Sequence, residues 1–234
     1  MSTAPVVAID GPVGVGKSSV ARTVADHLGF RHLDTGAMYR CVALARMRLV
    51  EAEGADVAPE RVARMARDLD IDLREDGSVY LGGEDVGEAI RAEEVSREVA
   101  RVADNRAVRE ALVEQQRRIG LQRPSVLEGR DIGTVVFPDA HWKYYLDASP
   151  QVRADRRASQ LEEMGLSRPS EEILHNLLER DRRDRARPWG ALRVAEDATL
   201  VDTTGLSFDR VVDLICCLVR EDPCPALASH AAVS

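Results

Sequence analysis

Gly11-Pro12-Val13-Gly14-Val15-Gly16-Lys17-Ser18 fits the spacing G-x-x-x-x-G-K-[ST]. Glycines at this spacing let successive backbone N–H groups turn inward around phosphate oxygens. Lys17 then supplies a point charge for β- and γ-phosphates, and the Ser18 hydroxyl can ligate Mg2+. Ser19 follows at the start of a helix-compatible stretch that runs to Leu28. The alternative is a Gly-rich turn with a surface lysine. Two features argue against it. Val6-Val7-Ala8-Ile9 precedes the loop as a short apolar run, so the loop has the strand–loop–helix setting that a true phosphate cradle needs. Lys17 is also one of 2 lysines in a chain with 30 arginines, so its position is not compositional background.

Four further stretches place arginines beside acidic or hydroxyl residues. They are Asp34-Thr35-Gly36-Ala37-Met38-Tyr39-Arg40, Val108-Arg109-Glu110, Glu128-Gly129-Arg130-Asp131, and 180–187 with the sequence RDRRDRAR. The first and third follow predicted strands directly, where an α/β sheet binds its ligands. For Asp34 or Thr35 a helix N-cap is the plain alternative, and for Arg130-Asp131 a strand-end ion pair. Within 180–187, Arg180, Asp184 and Arg187 fall at i, i+4 and i+7 on one helical stripe. Asp181 and Arg185 read as a parallel, exposed pair. A solvated helix face is the competing reading of this alternation. Phosphoryl transfer favours a site instead, because it needs cations around a spreading phosphate charge, and arginine binds phosphate bidentately.

These residues need elements to hold them. Strands are predicted at 6–9, 30–34, 126–128, 142–146 and 199–202, with helices at 18–28, 36–51, 59–69, 150–164, 171–187 and 208–220. A helix over 92–119 is broken near Asn105. The alternation implies a mostly parallel sheet with helices on both faces. Ile71–Arg74 and Val79–Leu81, joined at Asp76-Gly77, with a second turn at Gly82-Gly83, form an antiparallel interlude that reads as an insertion.

At 234 residues, with 44% hydrophobic and 31% charged residues, the chain fits one large soluble α/β domain. No apolar run approaches the ~20 residues of a membrane helix, and no signal peptide is expected. Cys41, Cys216, Cys217 and Cys224 lack metal-ligand or disulfide-framework spacing, which points to a cytoplasmic chain. The net charge of −8 argues against general nucleic-acid binding. Residues 51–100 carry 15 acidic and 6 basic residues, so this segment accounts for the acidity, while arginines gather elsewhere. Local arginine clusters on an acidic chain suit small anionic ligands.

The loop at 11–18, the run at 34–40, Gly-Arg-Asp-Ile-Gly-Thr-Val-Val-Phe-Pro at 129–138 and Arg-Asp-x-x-Asp-x-x-Arg at 180–187 resemble the bacterial cytidylate kinases, in order over about residues 5–220. The resemblance implies a P-loop NTPase fold with a five-stranded parallel sheet, an NMP-binding insertion containing a small antiparallel sheet, and a mobile lid. It places the core at about 1–35, 105–150 and 188–220, the NMP-binding lobe at about 36–104 and the lid at about 151–187. Residues 221–234 are expected to be a disordered tail.

The implied reaction moves the ATP γ-phosphoryl group to CMP or dCMP, with ATP and Mg2+ as cofactors, in a cytoplasmic monomer that binds neither nucleic acid nor membrane. ATP would be held by Gly11 to Ser19 with Arg153 and Arg157; Arg156 belongs to the same lid stretch. Thr35, Arg40 and Arg130 would hold the CMP phosphate, and Arg109 and Asp131 would read cytosine. Arg180 and Asp184 would touch the ribose hydroxyls, with Arg187 near the transferring phosphoryl. Lys17, Arg130, Arg180 and Arg187 form the implied catalytic set. Two positions depart from the family pattern: Ala100 stands where a base-contacting hydroxyl is frequent, and Val13 where a small or hydroxylated residue is usual. Another small-molecule P-loop kinase is the nearest alternative, but shikimate and dephospho-coenzyme A kinases lack the 129–138 motif. A GTP-binding switch would want Asn-Lys-x-Asp, which is absent.

Overall fold

The computed structural model describes residues 4–163 and 165–221. In chain order the elements are β1 (Val6–Asp10), α1 (Lys17–Leu28), β2 (Arg31–Asp34), α2 (Thr35–Glu53), α3 (Pro59–Asp68), β3 (Ile71–Leu73), β4 (Val79–Leu81) and β5 (Glu84–Asp85). A short 3-10 turn at Ala89–Arg91 precedes α4 (Glu93–Asp104), α5 (Arg106–Gly120) and β6 (Ser125–Gly129). A π-type turn at Ile132–Val136 leads to β7 (Trp142–Asp147), α6 (Pro150–Glu163), α7 (Ser170–Ala186), β8 (Thr199–Asp202) and α8 (Phe208–Glu221). The chain forms two compact units, residues 1–32 with 120–234, and residues 33–119.

The first unit is built on a five-stranded sheet of order β2-β6-β1-β7-β8. β1 runs parallel to β6, with Asp10 opposite Gly129, and parallel to β7; β7 runs parallel to β8. A strand covered on both faces reads as unbroken apolar sequence, and every residue of β1 is buried. Val20, Ala21, Val24 and Ala25 of α1 recur at helical spacing, as do Val211, Val212, Ile215 and Val219 of α8. These two stripes join Val7, Ile9, Val126, Trp142 and Leu146 in one core. Because β6 and β7 flank β1, the segments leaving β1 and β6 emerge side by side at the strands' C-terminal ends, where α/β sheets bind ligands. α6 and α7 share a second apolar cluster of Ala154, Leu161, Ile173 and Leu177, with Val13 packed against it.

In the second unit α2 packs against α4, and β3–β4–β5 form the small antiparallel sheet with Ile71 opposite Leu81. Arg46 of α2 is buried and ion-paired to Glu98 at 2.5 Å and to Asp56. The predicted 92–119 helix divides at Asn105, whose side chain accepts from the backbone N–H groups of Ala107 and Val108 and so caps α5. Asp34 caps α2 by accepting from the Ala37 N–H at 3.0 Å.

Three features differ from expectation beyond shifts of a residue or two at element ends. The turn after β6 is π-type, with the Asp131 carbonyl accepting from both Val135 and Val136, a geometry that has no hydrophobic period to announce it. Helix α8 extends through Glu221, and the rest of the expected tail lies outside the described residues. Asp181 is not exposed: with Ile173, Leu177 and Asp184 it forms the buried stripe of α7. Among the described residues, no helix is long and apolar enough to cross a membrane.

Candidate active site

The phosphate loop leaves β1 through Gly11, where the backbone passes so close to β7 that a Cβ would lie 2.2 Å from the Leu146 carbonyl oxygen. Gly16 stands at the N-cap of α1 with φ at 94°, in the left-handed region open to glycine, and no side chain caps the helix. The N-terminal N–H groups of α1 and its positive dipole end therefore stay available to an anion. Lys17 is buried, and its Nζ donates to the Pro12 carbonyl at 2.7 Å. Ser18 donates its hydroxyl to Glu128 Oε1 at 2.6 Å, which leaves the oxygen lone pairs of Ser18 free to face outward as a ligand would need.

Contacts from α6 and α7 hold the loop from outside. Asp181, 1% exposed, accepts from the Val13 N–H at 3.1 Å and from Arg153 at 2.6 Å. Arg153 also donates to the carbonyls of Val13 and Ala148, at 2.9 and 3.1 Å. Arg156 donates to the carbonyls of Val15 and Thr203, at 3.3 and 2.7 Å. Arg157 instead reaches Gln160 on its own helix at 2.5 Å. Of these three arginines of α6, two thus grip the loop's backbone while the third stays on the helix surface. Asp181 escapes a reading of charge alternation, but the signal was present: positions 173, 177, 181 and 184 continue one stripe from apolar into acidic residues.

Two arginines pair with Asp184. Its two carboxylate oxygens accept from Arg130 Nε at 2.9 Å and from Arg187 at 2.7 Å. Burial pushes the Asp184 carboxyl up, but Arg130, Arg187 and Arg180 outweigh it and hold the group below the usual carboxylate range. Burial likewise opposes the charge on Arg130, and Asp184 more than restores it. Lys17 feels these cations. Its pKa is lowered to about 7, first by burial and next by Arg130, with Arg180 adding to the effect and Glu128 and Asp10 opposing it. Asp131 follows directly, buried, ahead of the π-type turn.

Thr35, Arg40 and Arg109 belong to the other unit. Thr35 is buried at the first turn of α2. Arg40 donates to Ser96 Oγ at 2.8 Å and to the Ile90 carbonyl at 3.0 Å. Arg109 is buried, donates to the Ala103 carbonyl at 3.4 Å and lies 5.2 Å from the Tyr39 ring centroid. Ser96 has no marker in the sequence, since nothing in its spacing ties α4 to Arg40. Ala100, on α4, carries no hydroxyl to offer.

A profile of the family described as "Cytidylate kinase" matches residues 7–221. A curated "Cytidylate kinase" from Geobacter sp. (strain M21) is 43% identical over 219 residues, covering 92% of this chain and 93% of the relative. One from Rhodopirellula baltica is 45% identical over 218 residues, with 92% and 93% covered. Among solved structures, an uncharacterised protein from Eubacterium ventriosum superposes with a TM-score of 0.50 at 11% identity, over 93% of this chain and 99% of that one, a likeness of fold alone. A phosphate loop rising from the central strand, an arginine-rich segment after its neighbour and a profile spanning nearly the whole chain agree: the chain belongs to the cytidylate kinase family.

Proposed function

We propose that this protein transfers the γ-phosphoryl group of ATP to CMP or dCMP, giving ADP and CDP or dCDP. One observation carries the reading: a buried lysine of the phosphate loop shares its surroundings with Arg130 and Arg180, and burial first, then these cations, lower its pKa to about 7. Cations gathered in this way favour anionic phosphate.

The protein's part is positioning and charge. An oxygen of the CMP phosphate attacks the γ-phosphorus in line as the bond to the β-bridging oxygen breaks, and ADP leaves with that electron pair. The loop's N–H groups and Lys17 hold the β- and γ-phosphates. Arg130, Arg180 and Arg187 neutralise charge that spreads over the transferring group. Asp184 keeps those guanidiniums oriented and takes part in ribose recognition. Thr35 and Arg40 bind the acceptor phosphate, and Arg109 and Asp131 read the base. Arg153 and Arg156 support the loop, a role their contacts with its carbonyls favour, and Arg157 is the lid arginine that meets ATP.

Mg2+ bound to ATP would be held by Ser18, whose hydroxyl proton is already committed to Glu128, and would supply charge neutralisation on the phosphates. Among the described residues no acidic, His or Cys cluster forms a metal cage, which suits an ion that arrives on its nucleotide. In this reading residues 36–104 act as the NMP-binding lobe and 151–187 as a lid whose closure excludes water. The protein works as a cytoplasmic monomer on free nucleotides, and its net charge of −8 speaks against nucleic acid as a partner.

A coupled assay with ATP and, in turn, CMP, dCMP, UMP and AMP tests the reading. CMP-dependent ADP formation is expected, and its absence would overturn the proposal.

A further inference from the structure

Asp10 ends β1, one residue before the phosphate loop, and is 5% exposed. Its backbone lies opposite Gly129 in the β1–β6 ladder. Its side chain reaches past that point: Oδ1 accepts from the Ile132 N–H and Oδ2 from the Gly133 N–H, each at 2.8 Å. Between these two attachments lie only Arg130 and Asp131. One residue therefore fixes both ends of the dipeptide that carries an acceptor arginine and an acidic group. The phosphate loop starts from that same residue.

The arrangement is costly unless it does something. The Asp10 carboxyl is raised to about 6: burial and nearby Asp131 push it up, against the two N–H bonds and Lys17, which lower it. Lys143 of β7 and Glu128 of β6 stand on the flanking strands, and Lys143 is drawn away to Asp197 at 2.6 Å. The site is also close-packed. A Cβ on Gly133 would lie 3.2 Å from the Lys143 side chain and 3.5 Å from Asp10 Oδ2.

We propose that Asp10 is a positioning residue that sets Arg130 and Asp131 in register with the phosphate loop, so that the acceptor nucleotide is aligned with the donor. The inference rests on the functional reading above. It does not require Asp10 to touch either nucleotide. Its side chain makes no hydrogen bond to the loop, which is held by Arg153, Arg156 and Asp181. Losing the Asp10 carboxylate should therefore disturb the acceptor far more than the donor, which loses only a charge near Lys17 and no hydrogen bond. A merely structural tie at the end of the central strand would disturb both.

Asp10→Asn tests this, because the amide keeps the shape but offers one oxygen for two N–H donors and turns an NH2 toward the second. KM for CMP is expected to rise at least fivefold and kcat to fall about tenfold, with KM for ATP within twofold of wild type. Gly133→Ala, which presses on the same segment without changing Asp10, is expected to show the same CMP-selective defect. Equal rises in KM for both nucleotides would overturn the proposal. Wild-type constants in Asp10→Asn would do the same, as would a misfolded Asp10→Asn beside a wild-type-like Gly133→Ala. A wild type that fails to turn over CMP removes the functional reading and this inference together; a competent wild type with an unaffected Asp10→Asn removes this inference alone.

Discussion

Lys17 donates to the carbonyl of Pro12 at 2.7 Å, so the loop's lysine rests on the loop's own backbone. That bond is a resting position: it satisfies one of three N–H donors of a buried ammonium whose pKa is lowered to about 7, by burial first and then by Arg130. Phosphate oxygens would raise that pKa again. At pH 8, above the lowered pKa of the free protein's Lys17, ATP binding is expected to take up a proton. Calorimetry in buffers of different ionisation enthalpy reads this directly. Affinity should fall as pH rises from about 7, and a buffer-independent enthalpy would contradict the assignment. Lys17→Met should abolish the uptake.

The same lysine sets stability against function. Its folded pKa lies below its unfolded value of 10.5, so the unfolded chain binds the proton more tightly between about 7 and 10.5. The destabilisation is complete below about pH 7 and fades as pH rises through that window. Lys17→Met is therefore expected to raise Tm by about 2–5 °C at pH 6.5 while lowering kcat by about 10^3-fold or more. A thermal melt beside the coupled assay checks both, and a lower Tm would mean that the Pro12 bond outweighs the buried charge.

Ser18 and Glu128 define the expected metal dependence. With its proton on Glu128 at 2.6 Å, the Ser18 hydroxyl presents its oxygen to a cation. Ser18→Ala should raise the Mg2+ concentration for half-maximal activity about tenfold, and Glu128→Gln should raise it less, because an amide still accepts that proton. A titration of Mg2+ at saturating ATP separates the two. An unchanged half-maximal concentration in Ser18→Ala would take this residue out of the metal site.

Arg153 is 2% exposed and pairs with Asp181, itself 1% exposed, while holding the Val13 carbonyl. Arg153→Met leaves a buried carboxylate without its cation, which costs about 3–5 kcal/mol. Denaturant unfolding should show that loss. If Arg153 instead meets ATP directly, the change would appear as a raised KM for ATP in a protein of normal stability.

Much of this was legible in the chain because the signals were local. The loop at 11–18 announces itself by spacing, and the unbroken apolar β1 before it places the loop at the centre of the sheet. Asn105 was visible as a break because its side chain caps the next helix from within its own neighbourhood. Contacts made across the fold left no such trace. Asp10 reads as the last residue of a strand, and only the fold brings Ile132 and Gly133 to it across more than 120 positions. Asp181 was misread for a related reason. Alternating charges look solvated when counted residue by residue, whereas burial follows the stripe that Ile173 and Leu177 begin.

Asp184 is where the competing roles can be separated. Its carboxylate bridges Arg130 and Arg187, and the resemblance to the family adds the ribose hydroxyls. Asp184→Asn keeps one oxygen acceptor and removes the charge, so both guanidiniums lose their fixed orientation. Turnover of CMP and dCMP should then fall together, by about 10–100-fold in kcat/KM, since both acceptors need the same arginines. A bond from the 2′-hydroxyl to a charged carboxylate contributes about 1.5–3 kcal/mol, and dCMP has no such hydroxyl to lose. CMP should therefore fall further than dCMP, lowering the ratio of their kcat/KM values about tenfold. A common loss with an unchanged ratio would confine Asp184 to arranging arginines; a changed ratio with little common loss would confine it to the sugar.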